Sequence, residues 1–460
     1  MLKIDHQITP SALAQKMTRF WDLSASKLLS IEENLDPRQG APVFTVAGKY
    51  TSRGWTEWTQ GFQFGSSVLQ FDATGDPEFL GLARRRTVER MASHVTHTGV
   101  HDHGFNNVST YGNLLRLMNE GRIEENRWER EFYSLALKCS GAVQARRWTR
   151  IRDGLGFIYS FNGPHSLFVD TIRTLRVLAL AHRLGHILME ENDKPVSLLE
   201  RLLLHARATA TWSVYYGEGR DHYDVRGRVV HECIFNINDG NFRCPSSQQG
   251  YSPFSTWTRG LAWAMCGFAE LLEFLHSLPG NDLEPFGGRA EAEGFMVRAA
   301  RATCDFYIEN VATDGIPYWD TGAPGLSQDA LLGPADPYNR AEPVDSSAAA
   351  IAVQGFMRLG QYLRTQGVEE EARKYWQAGL TVLRTLLDEP YLSVEESHQG
   401  LLLHSVYHRP NGWDFVPPGR TSPCGESSMW GDYHAREAVL YVQRVLRGNP
   451  YLTFASAARA

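Results

Sequence analysis

Two aspartates stand where a carboxyl group can do chemistry. Asp102 lies in the run His101-Asp102-His103-Gly104-Phe105, and Asp170 lies in Leu167-Phe168-Val169-Asp170-Thr171-Ile172. Each opens an apolar pattern with helical spacing. Burial disfavours the charged form of a carboxyl, so an acid among apolar residues is a candidate proton donor near neutral pH. Asp170 is expected to have its pKa raised in this way. Both acids also have a competing role as a helix N-cap, accepting backbone N–H groups. Together they form a candidate pair, and paired carboxylates are the usual equipment for breaking glycosidic bonds.

A second cluster runs Gln248-Gln249-Gly250-Tyr251, then Ser255-Thr256-Trp257-Thr258-Arg259-Gly260-Leu261-Ala262-Trp263. Trp257 and Trp263 frame Arg259, whose guanidinium is able to grip a carboxylate bidentately while an indole stacks on a sugar ring. The alternative is Arg259 paired to a structural acid. Asp345-Ser346-Ser347-Ala348-Ala349-Ala350 reads as a capping motif. His231 reads as a loop-exposed residue, either plain surface or a hydrogen-bonding partner of a substrate. His101 and His103 are two apart, but no Cys or spaced His completes a metal site. There is no His-Glu-x-x-His, no phosphate-cradling glycine loop and no Gly-x-Ser-x-Gly elbow. Neither a metal nor a cofactor is expected.

The elements that must position these residues are helical. Apolar periodicity places helices over about 10–32, 60–73, 77–97, 105–120, 125–139 and 167–185, and again over about 195–215, 254–277, 287–310, 344–365, 369–388 and 430–446. Alternating patterns near 222–237 and 400–416 suggest short hairpins in connecting loops. Residues 324–343 suggest a surface excursion. Trp58-Thr59-Gln60-Gly61-Phe62, the Asp102 run and the Arg259 run share one form, polar and aromatic residues beside a glycine that begins a helix. Functional residues clustered at one end of repeated helix pairs imply a closed ring of hairpins, or an open solenoid that binds a partner protein. No linker separates domains, so 1–460 is read as one catalytic domain.

The chain of 460 residues carries 46 Lys plus Arg against 52 Asp plus Glu, a formal charge of −6. No basic excess points to nucleic acid or an anionic membrane. The 12 Trp, 18 Tyr and 22 Phe suit a large core and also suit sugar faces. The six cysteines form no Cys-x-x-Cys pair and fit scattered buried thiols in a reducing compartment. The start, Met1 to His6, lacks the apolar run of a signal peptide, and no stretch has transmembrane length. These features together suggest a cytoplasmic protein.

In combination the motifs resemble glycoside hydrolase family 88, the unsaturated glucuronyl hydrolases. The carrying pieces are His-Asp-x-Gly-Phe at 101–105, Asp170-Thr171, the Gln249-Gly250-Tyr251 to Trp263 run, the helix start at Asp345 and Trp430-Gly431-Asp432-Tyr433. They span Trp58 to Tyr433. The resemblance implies an all-α fold, an (α/α)6 barrel of about twelve helices with short loop hairpins. It implies removal of a 4,5-unsaturated glucuronyl residue from the non-reducing end of lyase-generated oligosaccharides, by hydration of the C4=C5 vinyl ether. Asp170 then matches the general acid and base, and Asp102 the second essential acid. His231 matches a histidine facing the substrate. Trp58, Gln249, Trp257, Arg259 and Trp263 match pocket positions, with Arg259 or the Gln248–Gln249 pair holding the sugar carboxylate. Arg409 and Trp413, with Arg420, sit in a long loop expected to touch the sugar beyond the cleaved bond.

The sequence departs from the family at Gln63, usually Trp, and at Gln248, usually His. Unsaturated rhamnogalacturonan fragments and saturated glucuronides are the alternative substrates. A non-enzymatic helical scaffold is the remaining one. The oligomeric state is not legible.

Overall fold

The computed structural model describes residues 1–54 and 58–458. Six helices line the inside of a ring. They are α2 (Gln60–Thr74), α4, α6, α8 (Thr258–His276), α10 (Ser346–Thr365) and α12 (Met429–Leu446). The inner helix α4 runs from His103–Asn107 through a π turn, Val108–Gly112, into Asn113–Asn119. The inner helix α6 joins Thr171–Thr174 to Arg176–Arg183. Six helices surround them: α1 (Ala14–Asn34), α3 (Pro77–Arg90), α5 (Arg127–Arg146), α7 (Leu198–Trp212), α9 (Gly288–Glu309) and α11 (Glu369–Leu386). Helix α12 packs on α2 and closes the ring. The architecture is the (α/α)6 barrel, with shorter helical turns in the connections.

Composition sorts the two layers. In α8 every residue from Thr258 to Leu275 is buried, because that helix has neighbours on all sides. The outer helix α11 opens with the exposed or half-buried Glu369, Glu370 and Glu371 and buries residues such as Tyr375, Trp376 and Leu380 against its neighbours. Side-chain caps set several starts: Asp76 accepts from Glu78 N–H, Ser197 from Glu200 N–H, Asp345 from Ser347 N–H and Ser428 from Gly431 N–H.

Four small antiparallel sheets sit in the connections. The pairs are β1 (Pro42–Val46) with β2 (Lys49–Ser52), β3 (Trp148–Arg150) with β4 (Gly156–Ile158), and β6 (Leu188–Glu190) with β7 (Lys194–Val196). The three-stranded sheet orders β5 (Ser166–Phe168), β8 (Glu232–Phe235) and β9 (Phe242–Ser246).

The structure departs from the sequence expectation at several elements. The single helix expected over 77–97 stops at Arg90; Met91 N–H closes it on Thr87, and a separate turn, Ala92–Val95, follows. Of 222–237 only Glu232–Phe235 is a strand, and the loop before it is gathered by Asp224, which accepts from the N–H groups of Gly217, Glu218 and Arg220. The 400–416 stretch forms no hairpin. Carboxylates take its N–H groups instead: Asp432 holds Leu401 and Leu402, Asp345 holds Val406, and Asp414 holds Tyr407 and His408.

Candidate active site

A cavity of about 760 Å³ opens at one end of the barrel. That is ample for a disaccharide. Asp102 and Asp170 border it, with Trp58, Trp257 and Trp263. Gln248, Gln249, Arg259 and Trp413 border it too. His231 and Arg409 do not, although both were expected there.

Asp102 and Asp170 each occupy the N-cap position of an inner helix, yet neither side chain makes a capping hydrogen bond. Asp345, by contrast, caps with its Oδ1. The two acids are therefore left to the cavity. His101 joins them, its Nε2 lying 3.3 Å from Asp170 Oδ1 and 3.7 Å from Asp102 Oδ1. Phe161 stacks on the imidazole at 6.2 Å and Phe168 meets it edge-on at 5.6 Å. Sequence reading considered His101 only as half of a metal pair with His103. The structure separates the two: His103 turns away, its ring held between Ser140 Oγ and the His97 carbonyl.

The helices carrying the acids touch through their backbones. A Cβ at Gly104 would lie 2.0 Å from the Thr174 carbonyl oxygen, so only glycine fits that approach. Gln144 Nε2 anchors the neighbouring loop by donating to the His101 carbonyl at 2.8 Å.

Titration behaviour reverses the expectation for Asp170. Burial pushes its carboxyl up, but the His101 hydrogen bond and the positive charges of His101 and Arg259 outweigh that, and the net shift is downward. Asp102 is the acid held above its ordinary value, by burial first, with the Asp170 charge adding to it and the His101 charge opposing. His101 is raised: burial works against its charge, and Asp102 and Asp170 overcome that. The sequence neighbours of Asp170 are apolar, but its deciding neighbour comes from another loop.

His231 is buried, not loop-exposed. Its carbonyl accepts from Val169 N–H at 2.9 Å, and it directly precedes β8, which pairs with the strand leading into Asp170. Its ring packs on Phe168 at 4.5 Å and Trp257 at 4.7 Å. The Nδ1 atom accepts from the N–H groups of Gln248 at 3.0 Å and Gln249 at 3.3 Å. Burial lowers its pKa to about 4, so the ring is neutral and shapes the glutamine loop from behind the wall.

Arg259 is not a free fork. Its Nη1 reaches Asp345 at 3.2 Å and the Val406 carbonyl, and its Nη2 donates to the Tyr407 carbonyl at 2.8 Å and to Gln249 Oε1 at 2.7 Å. The guanidinium is sandwiched between Trp257 at 4.7 Å and Trp430 at 4.8 Å. Trp263 does not frame it; that indole packs on Phe105 at 4.8 Å and His434 at 4.9 Å. The consequence for Gln249 is chemical: its oxygen accepts from Arg259, which leaves the amide N–H groups of this cavity-lining residue as its donors.

Trp58 stacks on Trp430 at 5.0 Å, extending the aromatic floor. At the mouth, Trp413 packs on Tyr407 at 5.2 Å and His408 at 4.8 Å. Arg409, in the turn Arg409–Asn411, is half-buried outside the lining, and Arg420 is spent on the Tyr338 carbonyl at 2.9 Å. Sequence reasoning missed His408, Asn411, Phe161 and Arg53, which also border the cavity. The last three carried no signal of type or spacing. Of the cysteines, Cys244 is exposed and Cys139 half-buried, against the expectation that the thiols would be buried. Among the described residues no helix is long and apolar enough to cross a membrane, and no group of three or more His, Cys, Asp or Glu gathers to hold a metal.

No family model matches the chain. An unsaturated glucuronyl hydrolase of Formosa agariphila is 24% identical over 393 residues, 85% of this chain and 81% of that protein. The unsaturated glucuronyl hydrolase of Bacillus sp. strain GL1 is 24% identical over 422 residues, 88% of this chain and 91% of that protein. A crystal structure of the Bacillus protein, described as responsible for the degradation of glycosaminoglycan, superposes with a TM-score of 0.69 at 20% identity, covering 95% of this chain and 97% of that one. A Streptococcus agalactiae unsaturated glucuronyl hydrolase variant complexed with dGlcA-GalNAc6S superposes with a TM-score of 0.62 at 20% identity, covering 96% of each chain. By sequence over most of its length, and by fold, the chain is a relative of the unsaturated glucuronyl hydrolases, the glycoside hydrolase family 88 proteins that its motifs resemble.

Proposed function

We propose that the protein hydrolyses unsaturated glucuronyl oligosaccharides, removing the 4,5-unsaturated uronic acid left at the non-reducing end by a polysaccharide lyase. One observation carries the site assignment: two acids at helix starts leave their caps unmade and face an aromatic-walled cavity with a histidine between them. The Streptococcus neighbour holds an unsaturated uronyl disaccharide, which supports the substrate class. One continuous hydrophobic core from Leu2 to Ala458 supports reading 1–460 as one catalytic domain. Six free cysteines fit the reducing cytoplasm.

In this reading Asp170 delivers a proton to C4 of the vinyl ether, and positive charge develops at C5 and the ring oxygen. Water adds at C5, and the Asp170 carboxylate takes the proton that the water releases. The product is a hemiketal that opens and frees the remaining saccharide. Asp102 binds sugar hydroxyls and keeps a negative or proton-sharing group beside His101. Gln249, oriented by Arg259, offers its amide N–H groups to the sugar carboxylate, and Gln248 stands beside it. Trp58, Trp257 and Trp263 line the ring pocket, and Trp413 faces the leaving saccharide.

The test is a panel of lyase-generated unsaturated disaccharides, followed by loss of the ultraviolet absorbance of the C4–C5 double bond. Loss with the purified protein, abolished in Asp170→Asn, is expected. Turnover of saturated glucuronides with none of the unsaturated panel would overturn the reading.

A further inference from the structure

The resting position of the proton is the unresolved part of that chemistry. Asp170 must be protonated to act, yet its surroundings hold it ionised. The group that holds the proton instead is adjacent. His101 is 2% exposed, its Nε2 lies 3.3 Å from Asp170 and 3.7 Å from Asp102, and Phe161 and Phe168 pack against its ring.

We propose that His101 is a positioning residue that holds the reaction's proton jointly with Asp170, through the Nε2 contact, and hands it to Asp170 in each turnover. The inference rests on the proposed vinyl-ether hydration and assigns a role within it.

The geometry favours a proton that moves. The second ring nitrogen, Nδ1, has no hydrogen-bond partner among the described residues. No third group pins the imidazole from behind, as the carboxylate of a hydrolase triad does. The main chain is held at the same time, by Gln144 on the His101 carbonyl, and the ring packs against Phe161 and Phe168. The surrounding charges are few. Asp102 is on the same segment. Asp170 borders the cavity and the neutral His231 lies behind its wall, Arg147 opposes the imidazolium from the end of α5, and His205 on α7 is itself lowered to about 3 by burial. Only the two aspartates favour charge on His101.

The bookkeeping of bonds is simple. The Nε2–H bond breaks and an Asp170 O–H bond forms, turning an ion pair into two neutral groups. A sugar ring sealing the cavity favours that neutral pair, because it removes water from the charged one. Asp170 passes the proton to C4. The water adding at C5 returns a proton to Asp170, and from there to Nε2. The pair ends with the proton count it began with, and the net change is one water added across C4=C5.

The test is His101→Gln, which keeps a hydrogen-bond donor beside Asp170 but no titrating nitrogen. On an unsaturated disaccharide, kcat falls about 100-fold while KM changes less than about threefold. The alkaline limb of the kcat profile also moves to lower pH, because the proton is then held by a carboxyl alone. An unmoved limb, or a loss confined to KM, overturns the proposal. A second measurement needs neither turnover nor a folded His101→Gln. Nitrogen-15 NMR of the intact protein follows the His101 ring, whose titration midpoint is expected to fall by about one unit or more in Asp170→Asn. An unchanged midpoint also overturns the proposal. If the wild type consumes no unsaturated uronide, the functional reading fails by itself, and the NMR titration still decides the shared proton.

Discussion

Two of the groups of ionisable side chains buried in this barrel make a contrast, and one of the two borders the cavity. At the cavity end lie Asp102, Asp170 and His101. Deeper, between the inner helices, lie Arg173, Arg176 and Arg358 with Glu270, Glu273 and Glu437. Shifted titration is common to both. Burial pushes Glu270 and Glu273 up to about 7 against the pull of their arginines. Glu437 is lowered, burial being outweighed by Arg173 and His434. The difference lies in partners and space. In the deep cluster three guanidiniums face three carboxylates, with Arg173 2.8 Å from Glu270 and from Glu437, and Arg358 2.8 Å from Glu273. At the cavity end two acids share one imidazole and the remaining oxygens face open volume. A perturbed acid marks a site only where no fixed cation closes it off.

That contrast is open to attack by mutation. The largest effect belongs to Asp170→Asn, which should lose at least about 1,000-fold in kcat with an unchanged circular dichroism spectrum. A variant retaining a tenth of the activity would remove Asp170 from its role. Arg173→Met should act on stability instead. It strips Glu270 and Glu437 of their closest cation, and denaturant unfolding should show a loss of about 3–5 kcal/mol. Gln249→Ala should raise KM about tenfold, with kcat less affected, if its amide binds the sugar carboxylate.

Asp102→Asn should separate stability from function. Since the folded-state pKa of Asp102 is raised, its favourable contribution is present at low pH and is lost as pH rises through that raised value. The variant has no such loss, so its melting temperature relative to wild type should climb as pH rises from about 4 through that raised value, while turnover collapses. A falling difference would contradict the burial argument. Arg409→Ala should change kcat/KM less than about twofold, since Arg409 lies outside the cavity lining; a larger effect would return it to the site.

Helices were legible because their signal is local. Each of the twelve expected segments overlaps one of the principal helices, since a continuously apolar inner helix such as α8 and a partly polar outer one such as α11 are both written in their local sequence. Strands of three residues, such as β3 and β6, carry too little pattern to be seen. The acids at 102 and 170 were legible as helix openings, but whether they cap or face a cavity depends on the tertiary structure. Arg259 shows the same limit. Its second indole is Trp430 and its acid is Asp345, both remote in sequence, so the nearby Trp263 was a misleading partner. The burial of His231 follows from a strand pairing between segments on either side of α7.

The contact of Gly104 with the Thr174 carbonyl has a further meaning. It makes the spacing of Asp102 and Asp170 a property of two main chains in contact, more than of the side chains around them. Walls built from Trp413, Phe161 or His408 are side chains, so a substitution there changes the shape of the cavity without moving the two acids apart. The barrel resembles a vice with exchangeable jaws: the screw is backbone, and the jaws are side chains.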